Sequence, residues 1–293
     1  MKTIGPRIIA LFVLLALWSE ASPAADSSGL KIEDELSKQN QILRSQGDKR
    51  PEGYVIDRSL QAYIEALPPE FGRELANLKA RDRWLDIGAG EGQAVLDYYN
   101  RTDLFGNDKT GAQKGAKAQS VAISIEDRRQ PLWYQTAARL APNQIQYYFN
   151  KFMRNYSLSE LGKFQVITDV LGGFSYTDEL SLFMEKVLEL LDVKGSFYGI
   201  LQDVKSDRGT NPPFYPNSSY LTEIANHDGS EVKVCSWLKS ISCVEVICEL
   251  RSNWKPPVEI YRVHKTCDGV KVPGLSKTSF GAGTPPERRF RLK

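Results

Sequence analysis

A short apolar strand that ends in an acid and runs into three alternating glycines constrains this chain more than any other feature. Residues 83–93 read Arg-Trp-Leu-Asp-Ile-Gly-Ala-Gly-Glu-Gly-Gln. Gly88, Gly90 and Gly92 allow a sharp turn and leave bare backbone for a ligand to lie against. The first amide groups of the helix predicted to begin near Glu91 then face that ligand.

The spacing of these glycines separates the turn from phosphate-binding turns. A diphosphate-binding fingerprint reads G-x-G-x-x-G, whereas this turn reads G-x-G-x-G and has Asp86 two residues ahead of it. A carboxylate there suits a cationic ammonium better than a phosphate, because like charges repel. The pattern therefore argues against NAD and ATP. The alternative is an ordinary strand-to-helix turn of an α/β protein.

The segment Asp-Ile-Gly-Ala-Gly-Glu-Gly at residues 86–92 resembles the first motif of class I S-adenosylmethionine-dependent methyltransferases. In that family the loop holds the methionine end of the cofactor, and the acid helps to receive its ammonium. The resemblance implies S-adenosylmethionine as the cofactor. The binding residues that it implies in this turn are Asp86, Gly88, Ala89, Gly90 and Gly92.

Strand and helix patterns alternate through the middle of the chain. The strands predicted from apolar runs cover residues 84–86, 120–125, 144–149, 164–168 and 196–201. The helices predicted between them cover residues 93–99, 131–140 and 177–191, with Thr177 as a cap. This alternation predicts a parallel, doubly wound sheet.

The end of the chain departs from this alternation. Residues 244–250 and 258–263 read as two strands joined by a short Pro-Pro turn, so they must be antiparallel. The predicted fold class is therefore α/β: a Rossmann-like, doubly wound, mostly parallel sheet with a C-terminal antiparallel β-hairpin and N-terminal helices in front. The methyltransferase family also places a parallel sheet first and an antiparallel pair last, so the resemblance spans roughly residues 71–265.

Polar residues follow the second and third predicted strands. A nucleoside lying over the strand ends needs an acid after the second strand for its ribose hydroxyls, and Glu126 lies there with Asp127 as its immediate rival. The family commonly has an acid near the adenine after the third strand, where this chain has Asn150 and Lys151. All four residues are predicted to contact the cofactor, and for the two acids a solvated loop position is the alternative.

In the methyltransferase family that the chain resembles, the segment after the fourth strand faces the methyl group and its acceptor, so the resemblance implies the same place for it here. It reads Asp-Val-Leu-Gly-Gly-Phe-Ser-Tyr at residues 169–176. Methyl transfer from a sulfonium requires mainly alignment, and sometimes removal of a proton. Asp169 is the candidate base or orienter and Tyr176 a candidate for the acceptor pocket. Alternatively, Asp169 caps a turn and Tyr176 packs. An Asn-Pro-Pro-Phe segment at residues 211–214 follows the fifth strand and is interpreted as a rigid turn.

The N-terminal segment has the features of a targeting signal. Lys2 and Arg7 precede an apolar run at residues 8–18 and a small-residue region, which is typical of a secretory signal peptide cleaved after Ala24. An uncleaved anchor is the alternative. We predict a signal peptide at 1–24, a helical extension at 25–69, a methyltransferase-like domain at 70–267 and a C-terminal tail at 268–293. The basic stretch 288–293 is expected to be solvated.

Cysteines, charge and histidines limit the other functions. In an exported protein an even set of cysteines indicates disulfides, and the predicted hairpin places Cys243 roughly opposite Cys267, which favours that pairing; buried free thiols are the alternative. The net charge of +2 is mixed along the chain and indicates no nucleic-acid surface. A histidine metal centre or a Ser-His-Asp hydrolase would need His227 or His264, so no metal site is predicted.

These observations lead to one hypothesis and two alternatives. We expect an S-adenosylmethionine-dependent methyltransferase that is secreted or periplasmic, or anchored by an uncleaved N-terminus. Its acceptor, a small molecule or a protein, is not specified by the sequence. The alternatives are a non-catalytic exported binding module on the same fold and an aminopropyl transferase of the spermidine synthase type.

Overall fold

A seven-stranded sheet forms the centre of the protein. The computed structural model describes residues 58–106, 117–202, 204–205, 219–251, 257–281 and 285–293. The predicted signal peptide, the first part of the helical extension and the Asn-Pro-Pro-Phe segment lie outside these residues. The strands of the sheet are β1 (Arg83–Ile87), β2 (Gln119–Ile123), β3 (Ile145–Tyr148), β4 (Phe164–Val170), β5 (Leu191–Gln202), β10 (Val244–Arg251) and β11 (Val258–Lys265).

The strand order and directions confirm the predicted fold class. The order across the sheet is β10-β11-β5-β4-β1-β2-β3. Neighbours from β5 to β3 run parallel, while β11 runs antiparallel to both β5 and β10. The parallel sheet and the C-terminal antiparallel hairpin are therefore both present, as an α/β Rossmann-like architecture requires.

Eight α-helices surround the sheets within the described residues. They are α1 (Leu60–Ala66), α2 (Pro69–Ala76), α3 (Gln93–Asn100), α4 (Trp133–Leu140), α5 (Leu158–Leu161), α6 (Gly173–Tyr176), α7 (Leu180–Leu190) and α8 (Val234–Lys239). Short 3₁₀ turns cover Thr102–Phe105 and Met153–Asn155. In this part of the chain no helix has the length and apolar content needed to cross a bilayer.

Two separate hydrophobic cores cover the two faces of the sheet. Along β1, Leu85 and Ile87 point into one core with residues of α7 and α8. Trp84 points into the other core with residues of α1 to α4. Because successive side chains of a strand alternate between faces, the nearly continuous burial of β1 follows from cover on both sides.

The third strand and the seventh helix differ in detail from expectation. The unusual Gln-Tyr-Tyr content of β3 has a physical reason, since β3 is the last strand at one edge of the seven-stranded sheet. Helix α7 begins at Leu180 rather than at Thr177. Thr177 lies three residues before the first residue of the helix, and its hydroxyl accepts a hydrogen bond from the Glu179 N–H at 3.1 Å. The threonine therefore orders the turn that precedes α7 and does not cap its first turn.

A second, four-stranded sheet corrects the expectation of a solvated C-terminal tail. It contains β8 (Thr222–Ala225), β9 (Glu231–Val232), β12 (Leu275–Phe280) and β13 (Arg288–Leu292), in the order β12-β13-β8-β9. The strands β6 (Val204–Lys205) and β7 (Ser219–Tyr220) form a separate two-stranded sheet and lie between β5 and β8 along the chain. Phe290 and Arg288 of β13 are buried. The basic stretch alternates inward and outward side chains, which a solvated tail does not.

Two disulfides fasten the C-terminal third. The predicted Cys243–Cys267 bridge is present, and Cys235–Cys248 links α8 to β10. The strand register places Cys243 opposite Thr266 rather than Cys267, because Val244 pairs with Lys265. Cys243 has a φ of 61° and lies outside the paired strand. The direction of its side chain is therefore not set by the alternation of side chains along the paired strands, and it can reach Cys267. Disulfides of this kind are typical of oxidising compartments.

Removal of the Cys243–Cys267 bridge is expected to destabilise the protein. The bridge closes a loop over a sequence separation of 24 residues, and the chain entropy of such a loop corresponds to about 3 kcal/mol. A Cys243→Ser, Cys267→Ser double variant should lose about that much free energy of unfolding in a urea titration. An unchanged unfolding midpoint would contradict the prediction, and reduction of the wild type serves as the comparison.

Candidate functional site

The order of the parallel strands reverses at β1. From β1 the chain moves to β2 and β3 on one side of the sheet, and then to β4 and β5 on the other. Beyond the turns after β1 and β4 the chain therefore leaves towards opposite faces of the sheet, with α3 in one core and α7 in the other, and the crevice of such a sheet lies at this reversal. In open α/β sheets ligands bind in this crevice. The glycine turn and residues 169–176 are the two segments that border it.

The glycine turn is packed backbone against backbone. Gly88 has a φ of 72°, and a Cβ atom on it would lie 2.5 Å from Cα of Gly172 in the turn after β4. A Cβ atom on Gly92, with a φ of 79°, would lie 3.0 Å from Nε1 of Trp133. At these two positions glycine is thus required because other atoms of the protein leave no room for a Cβ atom. The sequence had predicted that the glycines make room for a ligand. Gly90 also has a positive φ, of 58°.

Asp86 lies in the centre of a buried hydrogen-bond network. Its side chain is fully buried. One carboxylate oxygen accepts from the Tyr63 hydroxyl of α1 at 3.1 Å, and the other accepts from the Thr168 hydroxyl of β4 at 2.8 Å. The Thr168 oxygen in turn accepts from the Trp84 indole N–H at 2.9 Å. The carboxylate therefore joins three elements at the strand reversal.

The environment of Tyr63 keeps its hydroxyl protonated. Burial raises the pKa of Tyr63 well above its ordinary value, and the negative charge of Asp86 raises it further. The positive charge of Arg58 opposes this rise. Tyr63 is therefore a permanent donor to Asp86 at neutral pH, and it feels the charges of both an anionic and a cationic side chain.

Arg58 brings a positive charge to the same crevice. Its Nη1 lies 3.4 Å from the carbonyl oxygen of Val170, the last residue of β4. Arg58 precedes α1, whose N-terminus is held by Asp97 of α3 through a hydrogen bond from the Leu60 N–H at 3.0 Å. The N-terminal helix thus carries a cation over the end of β4 and is fixed to the helix that follows the glycine turn.

The two acids after β2 are paired with nearby arginines. Glu126 accepts from Nε of Arg128 at 2.6 Å. Asp127 forms an ion pair with Arg129 at 2.7 Å, and hydrogen bonds from Arg129 lower the pKa of the Asp127 carboxyl. The Arg129 guanidinium lies over aromatic rings, with Tyr134 the nearest at 4.2 Å. Both acids lie at the carboxyl edge of β2, and the contact of either with a ribose stays a prediction.

The residues after β3 are only partly directed to the crevice. Asn150 is exposed, has a φ of 60° and donates its N–H to the Ile125 carbonyl at 3.1 Å. Lys151 forms an ion pair with Glu160 at 2.6 Å and lies over the Tyr156 ring. This pairing directs the Lys151 ammonium to α5. An adenine contact from the exposed Asn150 side chain stays a prediction.

Asp169 orders the turn after β4. Its carboxylate oxygens accept from the Gly172 N–H at 2.8 Å and the Phe174 N–H at 2.9 Å, and the side chain is fully buried. Leu171, between Asp169 and Gly172, has a φ of 56°, which is an unfavourable backbone conformation for a bulky residue. These contacts favour the turn-capping alternative for Asp169 and show what holds a strained turn beside the crevice.

A buried arginine from β13 fixes the same turn from the other side. Arg288 donates to the carbonyl oxygens of Phe174 at 2.9 Å and Thr177 at 2.8 Å. Burial lowers the pKa of Arg288 to about 10, and the charge of Asp169 opposes the effect, so the guanidinium stays charged at neutral pH. Tyr176 is the half-buried last residue of α6 between these two anchored carbonyls.

Sequence analysis missed Tyr63, Thr168, Arg58 and Arg288. Tyr63 and Arg58 lie in a segment whose pattern predicts only a covering helix, and Thr168 reads as an ordinary strand residue. Arg288 belongs to a basic stretch without a motif. Their importance follows from contacts between residues far apart in sequence, and no local signal identifies them.

Comparison with solved structures finds similar folds at low identity. A protein of Listeria monocytogenes described as an S-adenosylmethionine-dependent methyltransferase is 17% identical, with a TM-score of 0.43, and the match covers 71% of this chain and 99% of that chain. An rRNA methylase from Streptococcus thermophilus is 11% identical, with a TM-score of 0.38, covering 68% and 95%. The N-terminal domain of EvdMO1, a structure with bound S-adenosylhomocysteine, is 11% identical, with a TM-score of 0.41, covering 74% and 85%.

No protein-family model and no curated protein matches the sequence. At the identities and TM-scores above, the similar structures do not assign an activity to this chain. Its function is therefore inferred from the residues of the site itself.

The burial of Asp169 is expected to make stability depend on pH. Burial raises the pKa of Asp169 from 3.8 to about 7, against the two backbone amides and Arg288. The folded state thus binds a proton that the unfolded state releases near pH 3.8. The stabilisation that this proton gives to the folded state is complete at low pH and is lost as the pH rises through about 7. The loss amounts to about 4 kcal/mol.

The measurement compares the wild type with an Asp169→Asn variant, which cannot ionise at this position. The free energy of unfolding of each protein is measured by urea titration from about pH 4 to about pH 8. The difference, wild type minus variant, should fall with rising pH. A difference that is constant or that grows with pH would contradict the assignment.

Proposed function

We propose that this protein is an S-adenosylmethionine-dependent methyltransferase. The observation that carries the proposal is the presence of two opposite charges at the strand reversal: the Asp86 carboxylate accepts a hydrogen bond from Tyr63, and the Arg58 guanidinium lies at the end of β4 and lowers the pKa of the same Tyr63. An amino-acid end of a ligand has one ammonium and one carboxylate, so it needs both charges. The methionine end of the cofactor meets this requirement, whereas a diphosphate does not.

The residues around the crevice fit the remainder of that cofactor. Glu126 and Asp127 lie after β2, on the side of β1 away from β4, where the ribose hydroxyls would be accepted. Asn150 follows β3, one strand further, and its amide is suited to an exocyclic amine. Amino acid, ribose and adenine would thus follow the strand order β4-β1-β2-β3 along one edge of the sheet.

The chemical work left to the protein is alignment. When bound, the cofactor supplies an activated methyl group, and transfer to a lone pair of the acceptor leaves the bonding electrons on sulfur. Asp169 acts in this proposal as an orienter, because its hydrogen bonds to the Gly172 and Phe174 amides hold the turn that contains the strained Leu171 beside the crevice. Tyr176, at the end of α6, borders the acceptor from that turn.

We further propose that the protein acts outside the cytosol. The two disulfides at residues 235–267 support this location, and the apolar N-terminal run supports a signal peptide or an uncleaved anchor. Activity at such a location requires a supply of the cofactor there. Identification of the mature N-terminus after secretion would distinguish cleavage after Ala24 from retention of the segment.

Substitution of Asp86 is expected to weaken cofactor binding. Asp86→Asn keeps the shape of the side chain and removes its charge, so affinity for labelled S-adenosylmethionine should fall by about tenfold or more, since a hydrogen bond to a charged group is lost. The measurement is equilibrium binding to the oxidised protein. Asp103→Asn, at an exposed aspartate, is the control and should bind like the wild type. Equal binding by Asp86→Asn would refute the site.

Substitution of Arg58 is expected to discriminate between two nucleosides. Arg58→Gln should weaken binding of S-adenosylmethionine by about tenfold and leave decarboxylated S-adenosylmethionine unaffected, because only the first has a carboxylate for the guanidinium. Arg73→Gln, at an exposed arginine paired with Glu70, is the matched control. A wild type that prefers the decarboxylated nucleoside would support an aminopropyl transferase, and one that binds neither would support a non-catalytic module.

A further inference from the structure

A cleft of about 270 Å³ lies between the second sheet and the C-terminal hairpin. Its walls come from β7, β8, β9, the beginning of α8, and the facing strands β10 and β11. The side chains that decide its chemistry are Tyr220, Glu231, Val232, Lys233, Leu250 and Glu259. The disulfide of Cys235, which also lines the cleft, holds α8 against β10.

The cleft opens at the same edge of the main sheet as the crevice. Leu250 and Glu259 are directly opposite residues of the hairpin, so their side chains lie on one face. Val258, beside Glu259, pairs with Gln202 at the carboxyl end of β5. Only β5 separates β11 from β4, so the cleft and the turn after β4 are roughly 10 Å apart across the sheet.

One arginine connects the wall of the cleft to that turn. Thr222, a lining residue, accepts from Nη2 of Arg288 at 2.8 Å. The other terminal nitrogen of Arg288 donates to the Phe174 carbonyl at 2.9 Å. The cleft is therefore built onto the segment that borders the proposed methyl-transfer site.

The charges that line the cleft sum to one negative charge. Lys233 forms an ion pair with Glu231 at 2.5 Å and lies 3.8 Å from the centre of the Tyr220 ring. Burial acts to lower the pKa of Lys233, but hydrogen bonds to Glu231 and Tyr220 outweigh it and raise the pKa, so these two charges cancel. Glu259 accepts from the hydroxyl of buried Tyr261 and supplies the remaining negative charge.

Apolar side chains form a further part of the lining, beside the hydroxyl groups of Thr222 and Ser236. Val232, Val234 and Leu250 contribute aliphatic surface. Leu250 is 57% exposed, although it belongs to a hairpin whose partner strand β11 is largely buried. Concave sites with apolar walls and few charged groups are typical of small-ligand sites. A ligand that covers Leu250 and reaches Glu259 would have an apolar body and a positive end.

We propose that this cleft binds an amine carried on an apolar chain and that it holds the distal part of the methyl acceptor. The second part of the proposal rests on the proposed function, whereas binding of the amine does not. The acceptor atom would lie roughly 10 Å from the amine, beside the turn after β4. Both a free alkylamine and a lysine side chain of a protein have this chemistry.

The test measures binding of heptylamine to the disulfide-bonded protein by calorimetry, with heptanol and heptanoate as uncharged and anionic probes of the same length. Heptylamine should bind more tightly than either. Glu259→Gln should weaken heptylamine binding by about tenfold, since a charge-assisted hydrogen bond is lost, and leave heptanol unaffected. Lys233→Met should strengthen heptylamine binding, because Glu231 is no longer neutralised. A lysine whose backbone amino and carboxyl groups are both blocked as amides tests whether the side chain of a protein can supply the amine.

Glu245→Gln is the matched control, at an exposed glutamate of β10 outside the cleft lining. Equal affinity for heptylamine and heptanol, tighter binding of heptanoate, or no effect of Glu259→Gln would overturn the amine site. Binding of labelled S-adenosylmethionine is measured on the same samples. If the protein binds S-adenosylmethionine but does not bind heptylamine, the amine site is overturned and the proposed function is not. Binding of heptylamine without the nucleoside would support the amine site and overturn its role in methyl transfer.

Discussion

The burial of one carboxylate is the constraint on which the arrangement of this protein depends. Asp86 is removed from water at the end of β1, and an ionised carboxylate there is tolerated only where hydrogen bonds replace its hydration. Tyr63 from α1 and Thr168 from β4 supply those bonds. The N-terminal helix is therefore required by the sheet: without it, one oxygen of Asp86 would lose the Tyr63 donor.

Close backbone contact at the strand reversal follows from the same geometry. The turns after β1 and β4 approach so closely that Gly88 and Gly172 exclude a Cβ atom from each other's space. The second turn is held in a strained conformation by Asp169 and by Arg288 from β13. Strain of this kind persists only where the surroundings over-determine it, and here both the sheet and the C-terminal strand contribute.

The C-terminal part of the chain thus does more than extend the fold. It supplies Arg288 to the turn after β4 and, through the disulfide between α8 and β10, forms one wall of the amine cleft. Site and cleft are linked by a single buried guanidinium. A protein folded in an oxidising compartment can rely on such covalent fastening where its β-strands are short.

The alternation of strands and helices, the antiparallel hairpin and the Cys243–Cys267 bridge were predictable, because periodicity and short connections are local properties of the sequence. The glycine turn was also predictable, although two of its glycines serve contacts with Gly172 and Trp133. The folding of residues 275–292 into the second sheet was not, because β13 pairs with β8, more than 60 residues earlier in the chain.

The sequence by itself determined where the acid and the glycines lie and that a parallel sheet must form around them. Only the tertiary structure decided what surrounds the acid. Asp86 accepts hydrogen bonds from Tyr63 of α1 and Thr168 of β4, and the charge of Arg58 acts on Tyr63. Asp169 accepts hydrogen bonds from backbone amides. Pairing between distant residues depends on how helices and turns pack, and this packing leaves no periodic signal in the sequence.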